Sequence, residues 1–176
     1  MRGDGRRSGS AAALVMALAT AVGTTHATGS LRLVDAVRRQ DFQQARMLLG
    51  QHDDVNVRSE DGSTALLWAA HWNDLETGAL LIRAGADPRA ANDLRMTPLS
   101  QACENGSAAF VELLLKAGAD VNTPVATGET PIMTCAKSGS AEGVRLLIAQ
   151  GADVNAKEPS QHQTALMWAA AQKQPA

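Results

Sequence analysis

The sequence predicts an all-α solenoid: stacked helix-turn-helix units with projecting loops, about four full units and a partial fifth. Three observations carry that expectation. Thr recurs at positions 64, 97, 130 and 164, with gaps of 33, 33 and 34 residues. A second series keeps step, "AGADP" ending at Pro88, "AGADV" at Val121 and "QGADV" at Val154. Between the two series, apolar residues fall at the three- and four-residue intervals of amphipathic helices. A fixed period of this length marks units that cannot bury their own apolar faces and must stack on neighbours.

The order along the chain begins with an address. "MRGDGRRSGS" supplies Arg2, Arg6 and Arg7, and "AAALVMALATAV" supplies an apolar run. Small residues follow, completing the three-part layout of a secretory signal peptide over residues 1–27. The run is shorter than the ~20 residues a membrane-spanning helix needs. Cleavage fits after Ala21 or after Ala27, and the short Thr28-Gly29-Ser30 lead-in favours Ala27. Arg6 and Arg7 lack the bulky apolar neighbour of a twin-arginine signal. The first Cys is Cys103, so no lipid-anchoring Cys follows either site. The alternatives are a disordered, Ala-rich N-terminus or an uncleaved anchor, and a segment that is not a signal would leave the protein in the cytoplasm.

The repeat region is expected over residues 30–176, in units of about 31–63, 64–96, 97–129 and 130–163 with a partial unit at 164–176. "LRLVDAVRRQDFQQARMLLGQHDDVN" is a divergent first unit, because stepping back 33 residues from Asp87 lands on Asp54. Its Arg32, Asp35, Arg38, Arg39 and Gln40 suit a terminal unit with one face in water. In the third and fourth units, Thr97 and Thr130 are placed to cap a short helix. Pro98 and Pro131 follow at the first helical position, where a missing N–H does no harm. Gly106 and Gly139 supply the turn into a second helix, whose end is marked by Gly118 and Gly151. "TALMWAAAQKQPA" supplies one helix and stops before a second, which predicts either further sequence beyond Ala176 or a frayed half-unit exposing Leu166, Met167 or Trp168.

The words "TALLWAA", "TPLSQAC", "TPIMTCA" and "TALMWAA", with "GADVN" intact at Gly118–Asn122 and Gly151–Asn155, resemble the ankyrin repeat over about residues 31–176. The resemblance is one of an exported, bacterial type. Departures from the family pattern fall at named positions. Its usual His is replaced by Leu67, Ser100, Met133 and Met167, which removes that residue's hydrogen bonds. Arg95 stands where a loop Gly is expected, predicting an irregular loop before Thr97. Pro159 and one extra residue in "AKEPSQHQT" put the last loop's geometry outside the pattern.

Composition narrows the chemistry. The formal charge is −2, and without the first 30 residues 13 basic groups face 17 acidic ones. That leaves no basic surplus to neutralise a run of nucleic-acid phosphates. The four His are scattered, and neither a zinc-protease helix motif, a nucleophile elbow nor a phosphate-binding loop is present. No enzymatic activity, metal or cofactor is therefore expected. Cys103 and Cys135 sit on the first helices of adjacent units, at neighbouring positions. With helix axes about 8–10 Å apart and a bridge needing Cα atoms within about 7 Å, reduced buried thiols are expected rather than a disulfide. Asp87, Asp120 and Asp153 offer one carboxylate per loop, too few for calcium and suited to local backbone N–H groups. Trp68 and Trp168, each four residues after its Thr, read as core or groove-wall packing and not as a ligand cage. Trp72 is either an exposed anchor or packed on the first unit.

The resemblance implies a non-enzymatic module that binds a protein partner through loop tips and first-helix surfaces. Carried over by position, that face takes Arg58, Glu60 and Asp61 from the loop leading into the second unit, with His71 and Trp72 from its first helix. Asp93, Leu94 and Met96 in the loop leading into the third unit join Glu104 and Asn105 of that unit, and Thr127 and Glu129 ahead of the fourth join its Lys137 and Ser138. Mixed charge with apolar groups suits a protein surface and not nucleic acid. Two further readings predict different surroundings: the repeats could target a larger exported enzyme or toxin whose catalytic domain lies past residue 176, or act as filler between domains without a ligand. Export to a periplasm or beyond is expected from the first segment.

Overall fold

The computed structural model describes residues 25–51 and 54–172, and the apolar run and the Ala21 cleavage site lie outside them. The first unit comprises α1 (Thr25–Arg38) and α2 (Phe42–Leu49). The second pairs α3 (Ala65–His71) with α4 (Leu75–Arg83), and the third α5 (Pro98–Glu104) with α6 (Ala108–Lys116). The fourth pairs α7 (Pro131–Lys137) with α8 (Ala141–Ala149), and α9 (Ala165–Gln172) opens the fifth. No strand occurs among the described residues. Helix α1 begins ahead of the expected unit boundary at residue 31, so the Ala27 cleavage site falls inside its first turn.

The local chemistry of each unit explains its helices. Thr64 Oγ1 accepts a hydrogen bond from Leu67 N at 3.3 Å and Thr97 Oγ1 one from Ser100 N at 3.1 Å, satisfying donors that a helix start leaves free. At Thr130 the backbone takes the same extended conformation, yet its buried hydroxyl finds no partner among the described residues. The family's missing His is partly replaced. Ser100 Oγ accepts from Thr97 N at 2.8 Å, closing a reciprocal capping box, and Met133 Sδ takes the equivalent Thr130 N at 3.4 Å. The second helices have their own caps, Asp41, Asp74, Ser107 and Ser140, spaced by 33 residues.

Stacking puts α1, α3, α5, α7 and α9 in one row and α2, α4, α6 and α8 in a second; the helices of the first four units touch their own partners, and every helix touches the equivalent helix of an adjacent unit. The core runs between the rows through Leu33, Leu66, Leu81, Leu99, Phe110 and Ile132. Phe110 on α6 reaches so far into α4 that a Cβ added to Gly78 would lie 2.4 Å from its ring. Small residues line the first-helix row, where Ala69, Ala70, Ala102 and Ala136 are buried.

That close approach overturns the expectation of free thiols: Cys103 on α5 and Cys135 on α7 form a disulfide, with Cα atoms 4.4 Å apart. Axes about 9 Å apart, each with Cα atoms at a radius of about 2.3 Å, bring facing Cα atoms to within about 4–5 Å. The separation of facing Cα atoms, and not that of the axes, sets whether a disulfide can reach.

The loops are regular where irregularity was expected. Gly62 and Gly128 have φ of 76° and 87°, and Arg95 and His162, at the matching places, adopt 58° and 56°. The turn before Thr97 therefore keeps the family geometry by forcing a non-glycine residue into the left-handed region. In the wider last loop, Glu158 does the organising. The residue is 3% exposed, and its carboxylate accepts from Ser160 N, Ser160 Oγ, Gln161 N and Gln163 N. These bonds hold its pKa down at about 2, the Ser160 hydroxyl contributing most.

Clips between units explain the "GADVN" Asn. Asn56 Nδ2 donates to Gly85 O at 3.0 Å while its Oδ1 accepts from Asp87 N at 2.7 Å, and Asn122 repeats the pair on Gly151 and Asp153. Arg89 substitutes in the unit between, donating to Gly118 O at 2.8 Å. The loop carboxylates serve the backbone as expected: Asp87, Asp120 and Asp153 each accept from the N–H two residues on, at 2.9 Å.

Candidate functional site

Loop tips and first-helix ends form one continuous surface because neighbouring loops are hydrogen-bonded to each other. Asp93 N donates to Asp61 O at 3.1 Å and Ala126 N to Leu94 O at 3.0 Å, tying the second, third and fourth units' tips into a ribbon. Arg58 reinforces the first junction by donating from Nη1 to Ala91 O at 2.7 Å. Leu94 projects from this ribbon 67% exposed, and Glu60, Asp93 and Thr127 are exposed beside it.

The end of α3 carries an aromatic step. Trp68 and Trp72 stack with ring centroids 6.4 Å apart, and His71 sits edge-on to both, at 5.5 Å from Trp68 and 4.6 Å from Trp72. Trp72 remains 39% exposed, and the rings it packs on, Trp68 and His71, belong to its own unit. Below the step, Asp61, Ser63, Trp68, His71, Met96 and Gln101 line a dip of about 160 Å³. Hydrogen bonds from Ser59 and then Ser63 keep the Asp61 carboxyl below its ordinary pKa, so it presents a negative charge.

A second dip of about 150 Å³ lies one unit on, lined by Glu104, Glu129, Thr134, Lys137 and Ser138. Lys137 Nζ is 3.7 Å from Glu129 and 4.7 Å from the centre of the Trp168 ring, a cation held between a carboxylate and an indole. Glu104 accepts from Gln101 Nε2 at 2.9 Å. Two of the positions carried over by resemblance spend their side chains on the fold. Asn105 Nδ2 donates to Ala70 O and His71 O at 2.8 and 2.9 Å, and Ser138 Oγ donates to Cys103 O at 2.6 Å. Each closes the C-terminal end of the preceding unit's first helix.

Trp68 takes the groove-wall place expected for it, lining both the dip described above and a larger cleft toward the first unit. One feature was not assigned from sequence. An apolar groove of about 380 Å³ runs beside α9, lined by residues including Ile132, Val144, Ile148 and Leu166. Among the described residues, no group of His, Cys, Asp and Glu is placed to hold a metal ion, and no helix is long and apolar enough to cross a membrane.

The profile describing ankyrin repeats (3 copies) matches residues 33–125 and again 123–176. The chain belongs to the ankyrin repeat family. Ankyrin repeats are in general protein–protein interaction modules and are typically non-catalytic, so a protein partner is the expected class of ligand for this ankyrin chain. No curated protein matches it.

Proposed function

We propose that this ankyrin chain is a non-enzymatic binding module that seats a protein partner along its loop ribbon and first-helix ends. The observation that carries the reading is the exposed side of Trp72 at the head of the aromatic step, with exposed Leu94 on the neighbouring tip. Partly buried Trp flanked by polar groups is the type of residue on which protein interfaces concentrate their binding energy. The carboxylates and cations around it would set register and orientation.

The same reading places the protein outside the cytoplasm. Its support is the basic, apolar and small-residue order of residues 1–27, together with a disulfide between the sequence's two Cys, since such bonds persist in oxidising compartments. Because α1 starts at Thr25, cleavage after Ala21 leaves that helix whole, whereas cleavage after Ala27 removes its first turn. N-terminal sequencing of the exported chain discriminates the two.

The binding face is tested by placing a photo-crosslinking residue at Trp72 or Leu94 and, as controls, at Glu112 or Arg145 on the outer helices, in the full chain within its native compartment. Crosslinked protein adducts are expected from the first two positions. Adducts from the outer helices alone would refute the assignment.

A further inference from the structure

A cleft of about 600 Å³ separates the first unit from the second unit's loop, and its walls include Trp68, Asp35, Arg38, Glu60 and Asp61. The cation in it is already committed, because Arg38 Nη2 donates to Asp35 Oδ1 at 2.7 Å. Among the described residues lining the cleft, what remains is the charge of Glu60 and Asp61, beside an indole. The fifth unit shows what that combination takes. Trp168 occupies the place of Trp68, four residues after its unit's Thr, and Lys137 from the preceding unit lies over its ring while approaching Glu129. Seven residues past its unit's start, Lys137 corresponds to Arg38, so the cation that covers Trp168 has a counterpart turned to Asp35 beside Trp68.

We propose that the Trp68 cleft receives a lysine or arginine side chain of the protein partner, and hence that the partner presents a basic segment to the first two units. This rests on the binding face proposed above and names its chemistry. A cation entering here gains the indole face and two carboxylates without displacing an internal ion pair. An acidic segment would meet Glu60 and Asp61 with like charge, and a purely apolar one would strip water from them without compensation.

The test uses the full chain and three fluorescein-labelled ten-residue peptides: alternating Lys/Gly, Glu/Gly and Ser/Gly. Affinity is read by polarisation, and location by the amide and indole signals of a nitrogen-15-labelled chain. The Lys/Gly peptide should bind in preference to the other two and shift the Trp68 and Trp72 indole signals. Glu60→Lys should weaken it by about tenfold, while Glu142→Lys, the same charge change on α8, should weaken it by less than about twofold. Arg38→Gln, which removes the cation from the cleft wall, should tighten binding. Equal losses from Glu60→Lys and Glu142→Lys would show diffuse charge attraction and overturn the proposal. So would equal binding of the Ser/Gly peptide, or no binding of the Lys/Gly peptide. Crosslinks at Trp72 and Leu94 alongside such a failure would leave the binding face standing and remove only the basic class of partner.

Discussion

Breaking the Cys103–Cys135 cross-link should cost the protein a calculable amount of stability, because the bond closes a chain segment with a sequence separation of 32. In the chain-entropy treatment, a loop of that size removes about 12 cal/mol/K from the unfolded ensemble, or about 3.7 kcal/mol at 25 °C. For a domain of this length that corresponds to a drop in Tm of about 10 °C. The loss should concentrate at the junction of the third and fourth units, since each unit's stability depends on its immediate neighbours. Thermal melts of the oxidised chain, the same chain in reductant, and the Cys103→Ala/Cys135→Ala variant measure the total. Hydrogen exchange in α5 and α7 locates it. The variant should fall somewhat below the reduced chain, because both sulfurs lie in a fully buried position and alanine leaves that space unfilled. Oxidised and reduced melts within about 2 °C of each other would refute the argument. Two reactive thiols in the unreduced, denatured chain would refute the bond itself.

The loop and its carboxylate supply two further tests. Arg95→Gly should raise stability by about 0.5–1 kcal/mol, the relief of a left-handed Arg outweighing the entropy that glycine adds to the unfolded chain; a denaturant midpoint that moves down would show that the Arg side chain contributes more than its backbone costs. Glu158, held at about 2 in the fold against an ordinary value of 4.5, contributes stability that is complete above pH 4.5 and is lost as the pH falls toward 2. Glu158→Gln should therefore flatten the acid limb of the Tm profile, and identical acid limbs for the two chains would locate the pH dependence elsewhere.

Much of the fold was legible because its determinants act within a few residues. The Thr caps, Pro98 and Pro131 at helix starts, and the Gly residues after second helices do their work within a single turn of backbone, so their spacing exposes the unit directly. Even here one local reading failed. Arg95 in a glycine position suggested irregularity, and the ribbon of neighbouring loops held the turn in its usual shape. The periodic place of Trp68 suits core or groove-wall packing alike, and only α1 and the second loop beside it decide for the cleft wall.

The sequence by itself determined the period, the helix ends and the need to stack, since each follows from short-range hydrogen bonding and from apolar faces too small to stand alone. Tertiary structure decided which residues from different units meet. The Cys103–Cys135 bond, the Asn105 bonds to Ala70 and His71, and Lys137 over Trp168 join positions about one period apart. Whether such pairs touch depends on the spacing and register of packed helices, quantities to which every side chain in the stack contributes and which no single unit encodes.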